Sequence, residues 1–340
     1  MSEMVTRAGA PDAQPARSIT YRESIREGLI EEMEDDPRVI IMGEDVGRYG
    51  GAYAVSRGLI EQFGDRRVID TPMAEAMIVG AALGAAAVGA RPVAEIMYMD
   101  FITLVMDQLV NQAAKLHVMF GGQLSAPMVV RVQQGIGRGA GPQHSQSLEA
   151  WFAHVPGLKT VAPSTPADAK GLLKAAIRDD DPVLFIEHKQ LYSRKGEAAG
   201  RDHVVPIGSA DIKRPGRDVT IVTWSSMVHT ALAAAERLAT DGTEVEVVDL
   251  RTLAPLDMET VLASCGRTGR VLVLHEACRT GGLGAEIAAQ VGEELYGRLR
   301  APVRRLAAAD VVLPANSALE RALVPDEDAT VAAVRSLLRS

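Results

Sequence analysis

Hydrophobic and polar positions alternate along this chain with two different periods, which predicts helices and strands in turn. Residues 21–33 place Ile25, Leu29 and Met33 on one helical face, and residues 38–42 form a β-branched run typical of a strand. Further helices are predicted at 56–63, 71–88, 100–119 and 166–178, and further strands at 67–70, 92–96, 127–132, 158–161 and 182–187. This alternation favours a mostly parallel sheet covered on both faces.

The pattern is interrupted between residues 192 and 217, where small and polar residues indicate a surface linker. The alternation then resumes, with strands at 219–223, 244–250, 270–274 and 303–306 and helices at 228–239, 256–265 and 283–297. The sequence therefore predicts an α/β fold of two doubly wound domains. The predicted parts are a disordered N-terminal tail at 1–17, a first domain at 18–192, a linker at 193–217 and a second domain at 218–340.

Composition and charge exclude several classes of protein. Among 340 residues, 44 are acidic and 36 are basic, which gives a net charge of −8. Proteins that bind nucleic acids typically have an excess of positive charge, so this composition argues against that class. Two cysteines, Cys265 and Cys278, cannot form a disulfide framework. The longest apolar stretch, 77–90, is too short to span a bilayer. We therefore expect a cytoplasmic protein.

A glycine-rich loop at 135–141 follows a predicted strand, and the spacing of its glycines fits the sequence pattern of dinucleotide-binding loops. That pattern needs a helix directly after the glycines to bind a pyrophosphate, but more loop follows here. A second glycine run at 281–284 is shorter than the full pattern, and neither run has the acidic residue that would bind a ribose. A nicotinamide-binding oxidoreductase is kept as an alternative of another class.

Glu75 lies at the start of a helix that is too apolar and small-sided to lie on the surface, with Thr71 as the expected N-cap. A structural interpretation is an acid stabilised by the helix dipole. A functional interpretation is that a carboxylate beside a buried helix needs a partner and is suited to proton transfer. The residues alone leave both open.

His144 and Glu44 follow predicted strands, where binding residues concentrate in open α/β sheets. Each also has an ordinary interpretation. His144 is then a hydrogen-bonded loop histidine, and Glu44 belongs to a turn.

Several longer motifs, taken together, resemble one family over about residues 18–335. They are Gly-Glu-Asp-Val at 43–46, Asp-Thr-Pro-Met-Ala-Glu at 70–75, Gln-His-Ser-Gln at 143–146, Asp-Ala-Lys-Gly at 168–171 and Asp-Leu-Arg-Thr-Leu at 249–253. The chain resembles the β subunit of the E1 component of thiamine-diphosphate-dependent 2-oxo acid dehydrogenases. That resemblance implies a transketolase-like pyrimidine-binding domain followed by a transketolase C-terminal-type domain.

The resemblance also implies roles for individual residues. Glu75 would hydrogen-bond the aminopyrimidine ring of thiamine diphosphate, and Phe101 would pack beside that ring. His144 would lie near the substrate and the lipoyl group and orient or protonate them, and Glu44 would line a proton path between paired sites. A structural potassium site would be formed largely by backbone oxygens of Met128, Ala176, Ile177, Asp179 and Asp181. Asp181 stands where relatives often carry asparagine.

A further implication concerns assembly. Family members hold Mg²⁺ and the diphosphate through a Gly-Asp-Gly motif followed by asparagines, whereas this chain has no such motif and only Asn111 and Asn316. The expected partner is therefore an E1 α subunit that carries Mg²⁺, in an α₂β₂ heterotetramer. Expected activity is oxidative decarboxylation of a 2-oxo acid and reductive acylation of the lipoyl group of E2. Pyruvate or a branched-chain 2-oxo acid is the expected substrate, acetoin is the alternative, and a non-catalytic subunit is a further one.

Overall fold

Strands and helices alternate along residues 17–340, which are the residues described by the computed structural model. The strands are β1 (Ser18–Thr20), β2 (Val39–Gly43), β3 (Val68–Asp70), β4 (Arg91–Ile96), β5 (Val129–Gln134), β6 (Lys159–Val161), β7 (Val183–His188), β8 (Lys195–Glu197), β9 (Asp211–Arg214), β10 (Val219–Thr223), β11 (Val245–Asp249), β12 (Thr252–Ala254), β13 (Val271–Cys278) and β14 (Arg304–Ala308). The α-helices are α1 (Tyr21–Asp35), α2 (Leu59–Phe63), α3 (Glu75–Ala87), α4 (Leu116–Met119), α5 (Glu149–Ala153), α6 (Pro166–Arg178), α7 (Met227–Ala239), α8 (Met258–Thr268), α9 (Gly284–Glu294), α10 (Ser317–Ala322) and α11 (Glu327–Leu338).

The first sheet has the strand order β12-β6-β7-β5-β4-β2-β3, and all of its strands are parallel except β12. Successive residues of β5 point into different hydrophobic clusters. Val129 packs in one with Ile25 of α1 and Leu172 of α6, and Val130 packs in the other with Ile78 of α3. The sheet is thus covered on both faces, as the apolar strands predict.

The second sheet has the order β14-β13-β10-β11-β9, with only β9 antiparallel. Two parallel-rich sheets confirm the predicted α/β class. The predicted linker is more structured than expected, because β8 pairs with β1 and β9 forms the edge of the second sheet. Of the predicted tail at 1–17, residues 1–16 lie outside the described part of the chain.

The two sheets are joined by β12. This strand follows β11 of the second sheet directly, yet it pairs antiparallel with β6 of the first, through Thr252 with Val161 and Ala254 with Thr160. The Ala162 amide also donates to the Arg251 carbonyl at 2.7 Å. A segment from the second half of the sequence therefore completes the first sheet.

Two predicted helices differ from the structure. The helix expected from Thr71 begins at Glu75, because the Thr71 amide donates to the Gly43 carbonyl at 3.0 Å and so extends the strand pairing. The helix expected at 100–119 is a series of short pieces, with 3₁₀ geometry at Met99–Val105, π geometry at Asp107–Gln112 and 3₁₀ geometry again at Ala113–Lys115 before α4. Tertiary packing overrides helical periodicity in this segment.

Helix α3 is only half covered, which corrects the expectation that it is buried all round. Ile78, Val79 and Ala82 are buried against the sheet, but Met77 and Val88, the residue that directly follows the helix, are 43% and 86% exposed. The small residues between them leave an apolar face open in the single chain. Within residues 17–340, no helix combines the length and the apolar character needed to cross a membrane.

Candidate functional site

The carboxyl ends of four neighbouring parallel strands bring the predicted site residues to one edge of the first sheet. The strands are β5, β4, β2 and β3, in that order. Glu44 follows β2 directly, Glu75 begins α3 after β3, Phe101 comes shortly after β4, and His144 lies in the loop after β5. This edge is where open α/β sheets bind ligands.

Glu44 and Glu75 form a pair of carboxylates without internal counter-charges. Both are partly buried, and neither has a hydrogen-bond or ion-pair partner within residues 17–340. Burial, followed by the negative charges of Asp45 and Glu75, raises the pKa of Glu44. Such a pair is stabilised by a shared proton or by a protonated group bound between the two carboxylates.

At the same edge of the sheet, three aromatic rings pack together. The His144 ring lies edge-on to Tyr98 and Phe101, with ring centroids 4.9 and 5.4 Å away. Tyr98 is held with φ at +65°, and its amide donates to the Gln133 side-chain oxygen at 3.0 Å. Phe101 and His144 are predicted from the sequence, whereas Tyr98 is not. The sequence feature that could have indicated Tyr98 is an aromatic residue two positions after the end of a buried strand.

The glycine loop, defined as residues 135–141, is bound by carboxylates of the second half of the chain. Glu276 accepts a hydrogen bond from the Ile136 amide at 2.7 Å, and Glu320 accepts from the Gly137 and Gly139 amides, each at 3.0 Å. The amides that a pyrophosphate would use are therefore occupied. This removes the first of the two glycine runs on which the nicotinamide alternative rested. Sequence reasoning missed both glutamates, because each lies more than 130 residues away along the chain.

Lys189, at the end of β7, is a second residue that the sequence analysis did not identify. Its ammonium group donates to the His144 carbonyl and lies 5.5 Å from the centre of the Tyr98 ring. The side chain is almost completely buried, and burial lowers its pKa. Lys189 therefore fixes the backbone that carries His144.

The residues expected to bind potassium lie together at the end of α6, where the parallel strands of the first sheet begin and so at the edge opposite the candidate site. The Ile177 and Asp179 carbonyls accept from the Arg91 guanidinium at 3.0 and 2.9 Å, and Lys159 contacts the carboxylates of Asp179 and Asp181 at 2.7 and 3.0 Å. Ala176 precedes these residues in the helix, and the Met128 carbonyl accepts from the Val183 amide at 2.9 Å. These oxygens are of the type that binds potassium, and each carbonyl keeps a second lone pair. Two cationic side chains already neutralise the cluster.

Comparison with known families places both halves of the chain. Residues 17–195 match the transketolase pyrimidine-binding domain, and residues 208–329 match the transketolase C-terminal domain. The residues between the two matches, 196–207, fall inside the predicted linker.

Curated relatives extend over nearly the whole chain. It is 47% identical over 321 residues to the 2-oxoisovalerate dehydrogenase subunit beta of Bacillus subtilis, covering 94% of this chain and 98% of that protein. It is 45% identical over 334 residues to the acetoin:2,6-dichlorophenolindophenol oxidoreductase subunit beta of Cupriavidus necator, covering 95% and 98%. It is 46% identical over 324 residues to a mitochondrial pyruvate dehydrogenase E1 component subunit beta of Oryza sativa, covering 94% and 86%.

A solved structure supports the same fold. A split-gene transketolase, described as an inactive β4 tetramer, superposes with a TM-score of 0.78 at 24% identity, covering 94% of this chain and 98% of that one. The predicted transketolase-like arrangement of two domains is thereby confirmed.

Proposed function

Because the chain belongs to the family of transketolase-like E1 β subunits of 2-oxo acid dehydrogenases, we propose that it supplies half of a thiamine-diphosphate-dependent active site. The observation that carries this proposal is that two carboxylates without partners among residues 17–340, Glu44 and Glu75, lie at the same edge of the sheet as the packed rings of Tyr98, Phe101 and His144. A protonated heteroaromatic group fits such a site, since the carboxylates bind its N–H and the rings pack against its face.

Thiamine diphosphate, when bound, supplies the carbon nucleophile and the electron sink for cleaving a bond next to a carbonyl. In our proposal the Glu75 carboxylate accepts a hydrogen bond from a pyrimidine ring nitrogen and holds that proton. Phe101 packs beside the ring and excludes water. Glu44, whose pKa is raised, holds or passes a proton close to Glu75.

His144 is proposed to serve the acyl-transfer half of the reaction. Its ring packs with the rings of Tyr98 and Phe101, and its backbone is held by Lys189, so the imidazole has a defined place from which to protonate or orient the lipoyl group of E2. Histidine suits this task because its ordinary pKa lies near neutrality.

An E1 α subunit is the proposed partner, in an α₂β₂ heterotetramer. E1 β subunits function with an α subunit, and this chain leaves large apolar side chains exposed near Glu75 and elsewhere, among them Met73, Met77 and Trp151, at 74%, 43% and 53%. Apolar surface of this kind marks a protein interface. The α subunit would hold Mg²⁺ and the diphosphate, for which this chain lacks the Gly-Asp-Gly motif.

We also propose a cytoplasmic location, a bound potassium ion and a 2-oxo acid substrate. The free cysteines Cys265 and Cys278 support a cytoplasmic location. For the proposed potassium ion, the remaining ligands include the second lone pairs of the Ile177 and Asp179 carbonyls, because Lys159 already contacts the carboxylates of Asp179 and Asp181. Pyruvate or a branched-chain 2-oxo acid is the proposed substrate, with acetoin as the alternative. The identities to relatives named for these three compounds, between 45% and 47%, do not separate them.

The test is dye reduction by this chain co-expressed with candidate α subunits, in the presence of thiamine diphosphate and Mg²⁺. Pyruvate, branched-chain 2-oxo acids and acetoin are offered in turn. We expect cofactor-dependent reduction with one of them, and Glu75→Gln lowers this rate by at least about 100-fold because a proton-holding group is lost.

The matched control is Glu61→Gln on the exposed surface of α2, which keeps full activity. Both variants should elute as intact heterotetramers. Near-normal activity of Glu75→Gln would overturn the role of Glu75, and a complex that binds the cofactor but turns over none of the three substrates would overturn the proposed substrates.

A further inference from the structure

Glu320 of α10 is fully buried, although a carboxylate is costly to bury without partners. Its partners come from the other domain. One oxygen accepts from the amides of Gly137 and Gly139, each at 3.0 Å, and the other accepts from the Ser145 hydroxyl at 2.8 Å. Glu320 therefore contacts both the glycine loop and Ser145, the residue next to His144.

The loop and α10 are built to meet closely. A side chain added at Gly139 would lie 2.8 Å from the Ser317 amide nitrogen, and the positive φ of Gly139, +62°, also favours glycine. Asn316 caps α10 by accepting from the Ala318 and Leu319 amides at 3.0 and 3.1 Å. The end of α10 that faces the loop is thus itself fixed.

His144 has few other restraints on its backbone. Its amide donates to the Gly141 carbonyl at 3.2 Å, within the same segment, and its carbonyl accepts from Lys189. The Ser145–Glu320 hydrogen bond is the contact that ties this segment to the second domain at the position beside the imidazole.

We infer that Glu320 is a positioning residue for His144, so that the second domain sets the geometry of acyl transfer to the lipoyl group. The inference rests on the proposed function. In that step the S–S bond of the lipoyl group would break as one sulfur bonds to the acyl carbon of the decarboxylated substrate, which supplies the two electrons, and the other sulfur would take a proton. The acyl carbon would then lose its hydroxyl proton and part from the cofactor, which leaves the acyl group on the lipoyl sulfur. His144 is placed to supply the proton that the second sulfur takes, and an error of about 1 Å in such a group lowers a rate by about 100-fold.

The test compares two reactions of the same heterotetramer. Dye reduction needs no lipoyl group, whereas reductive acylation of a free lipoyl domain does. In Glu320→Ala we expect reductive acylation to fall at least ten times more than dye reduction, the pattern that His144→Ala also gives. Glu320→Gln should restore part of the loss, because the amide oxygen can still accept from the glycine amides.

Two further variants keep the inference falsifiable. Ser145→Ala leaves Glu320 intact. It should lower the ratio of the reductive acylation rate to the dye reduction rate in the same direction as Glu320→Ala, but by a smaller factor. Glu246→Gln is the matched control, since Glu246 is also a buried glutamate of the second domain that accepts a backbone amide, from Gly216 at 3.3 Å, but lies away from the loop. It should leave the ratio unchanged.

The outcomes separate the inference from the proposed function. If the unmodified complex reduces no dye with any substrate, the proposed function fails. If the unmodified complex is active but both reactions fall equally in Glu320→Ala, together with its melting temperature, Glu320 is only structural and the inference is overturned.

Discussion

At the scale of single residues, the most informative feature is that Glu44 and Glu75 are close without a positive charge between them. A folded chain normally pairs buried carboxylates, because leaving two together costs free energy. Natural sites retain such arrangements where a ligand or a proton completes them. The pair therefore supports the proposed ligand site at the ends of two neighbouring strands.

The mutual effect of the two carboxylates is measurable in the single chain. Replacing Glu75 by Gln removes a negative neighbour that disfavours ionisation of Glu44, so the pKa of Glu44 should fall toward its ordinary value. Carbon-13 NMR titration of the glutamate carboxyls checks this, with Glu61→Gln as the control that leaves Glu44 unchanged. An unaltered Glu44 pKa in Glu75→Gln would show that the two groups do not interact.

At the scale of elements, the centre of the first sheet contains a buried ion network. Arg131 of β5 lies between Glu95 of β4, at 2.7 Å, and Glu187 of β7, at 2.6 Å, and all three side chains are inaccessible or nearly so. The Tyr192 hydroxyl donates to Glu187 at 2.5 Å. The network lies under Gly51, whose added side chain would meet Glu95 at 3.2 Å, and so it supports the loop that follows β2.

Removing the central cation should destabilise the fold strongly. Arg131→Met leaves two buried carboxylates without a counter-charge, and we expect the free energy of unfolding to fall by about 3–5 kcal/mol. Urea denaturation followed by circular dichroism measures this change. Arg48→Met, at an exposed position, serves as the control. A loss below about 1 kcal/mol would mean that the network contributes little to stability.

At the scale of the whole molecule, charged groups bridge the two domains beside β12. Asp249 of β11 accepts from the Ser164 hydroxyl at 2.5 Å, and Lys213 pairs with Asp168 of α6 at 2.6 Å. Burial, opposed by Lys213 and reinforced by the charge of Asp168, raises the pKa of Asp249 to about 7. The Asp249 carboxyl in the folded chain therefore keeps its proton up to about pH 7, whereas in the unfolded chain it releases the proton at a lower pH.

This proton makes a contribution to stability with a definite sign. Between about pH 4 and pH 7 the folded chain keeps the Asp249 proton and the unfolded chain does not, so this contribution decreases as pH rises and is lost above about pH 7. In Asp249→Asn the decrease in unfolding free energy between pH 5 and pH 8 should become smaller by about 2–3 kcal/mol.

Thermal and chemical unfolding at several pH values check this expectation. Asp211→Asn is the matched control, because Asp211 contacts the same lysine at 2.7 Å from a partly exposed position. An identical pH dependence in Asp249→Asn and the unmodified chain would rule out the buried proton.

The parts of this structure that sequence could predict are those with local signals. Alternating apolar positions indicated the strands β10 and β11, and Glu75, His144 and Phe101 were found by their motifs. Tyr98 and Glu320 were missed because their roles depend on contacts with distant parts of the chain. The helix expected at 100–119 was wrong in geometry, since periodicity reports which residues are buried and not which backbone groups pair.

The position of β12 has a consequence for how this chain withstands cleavage. A protease that cuts the exposed stretch near residues 193–202 severs the polypeptide, but β12 still covers the edge of β6 and the glycine loop remains bound to α10. The two fragments would stay together as a nicked pair. A separately made first half would instead present the unpaired edge of β6, and strand edges of that kind promote aggregation. The two domains therefore form a single structural unit, and neither half is expected to be stable and soluble without the other.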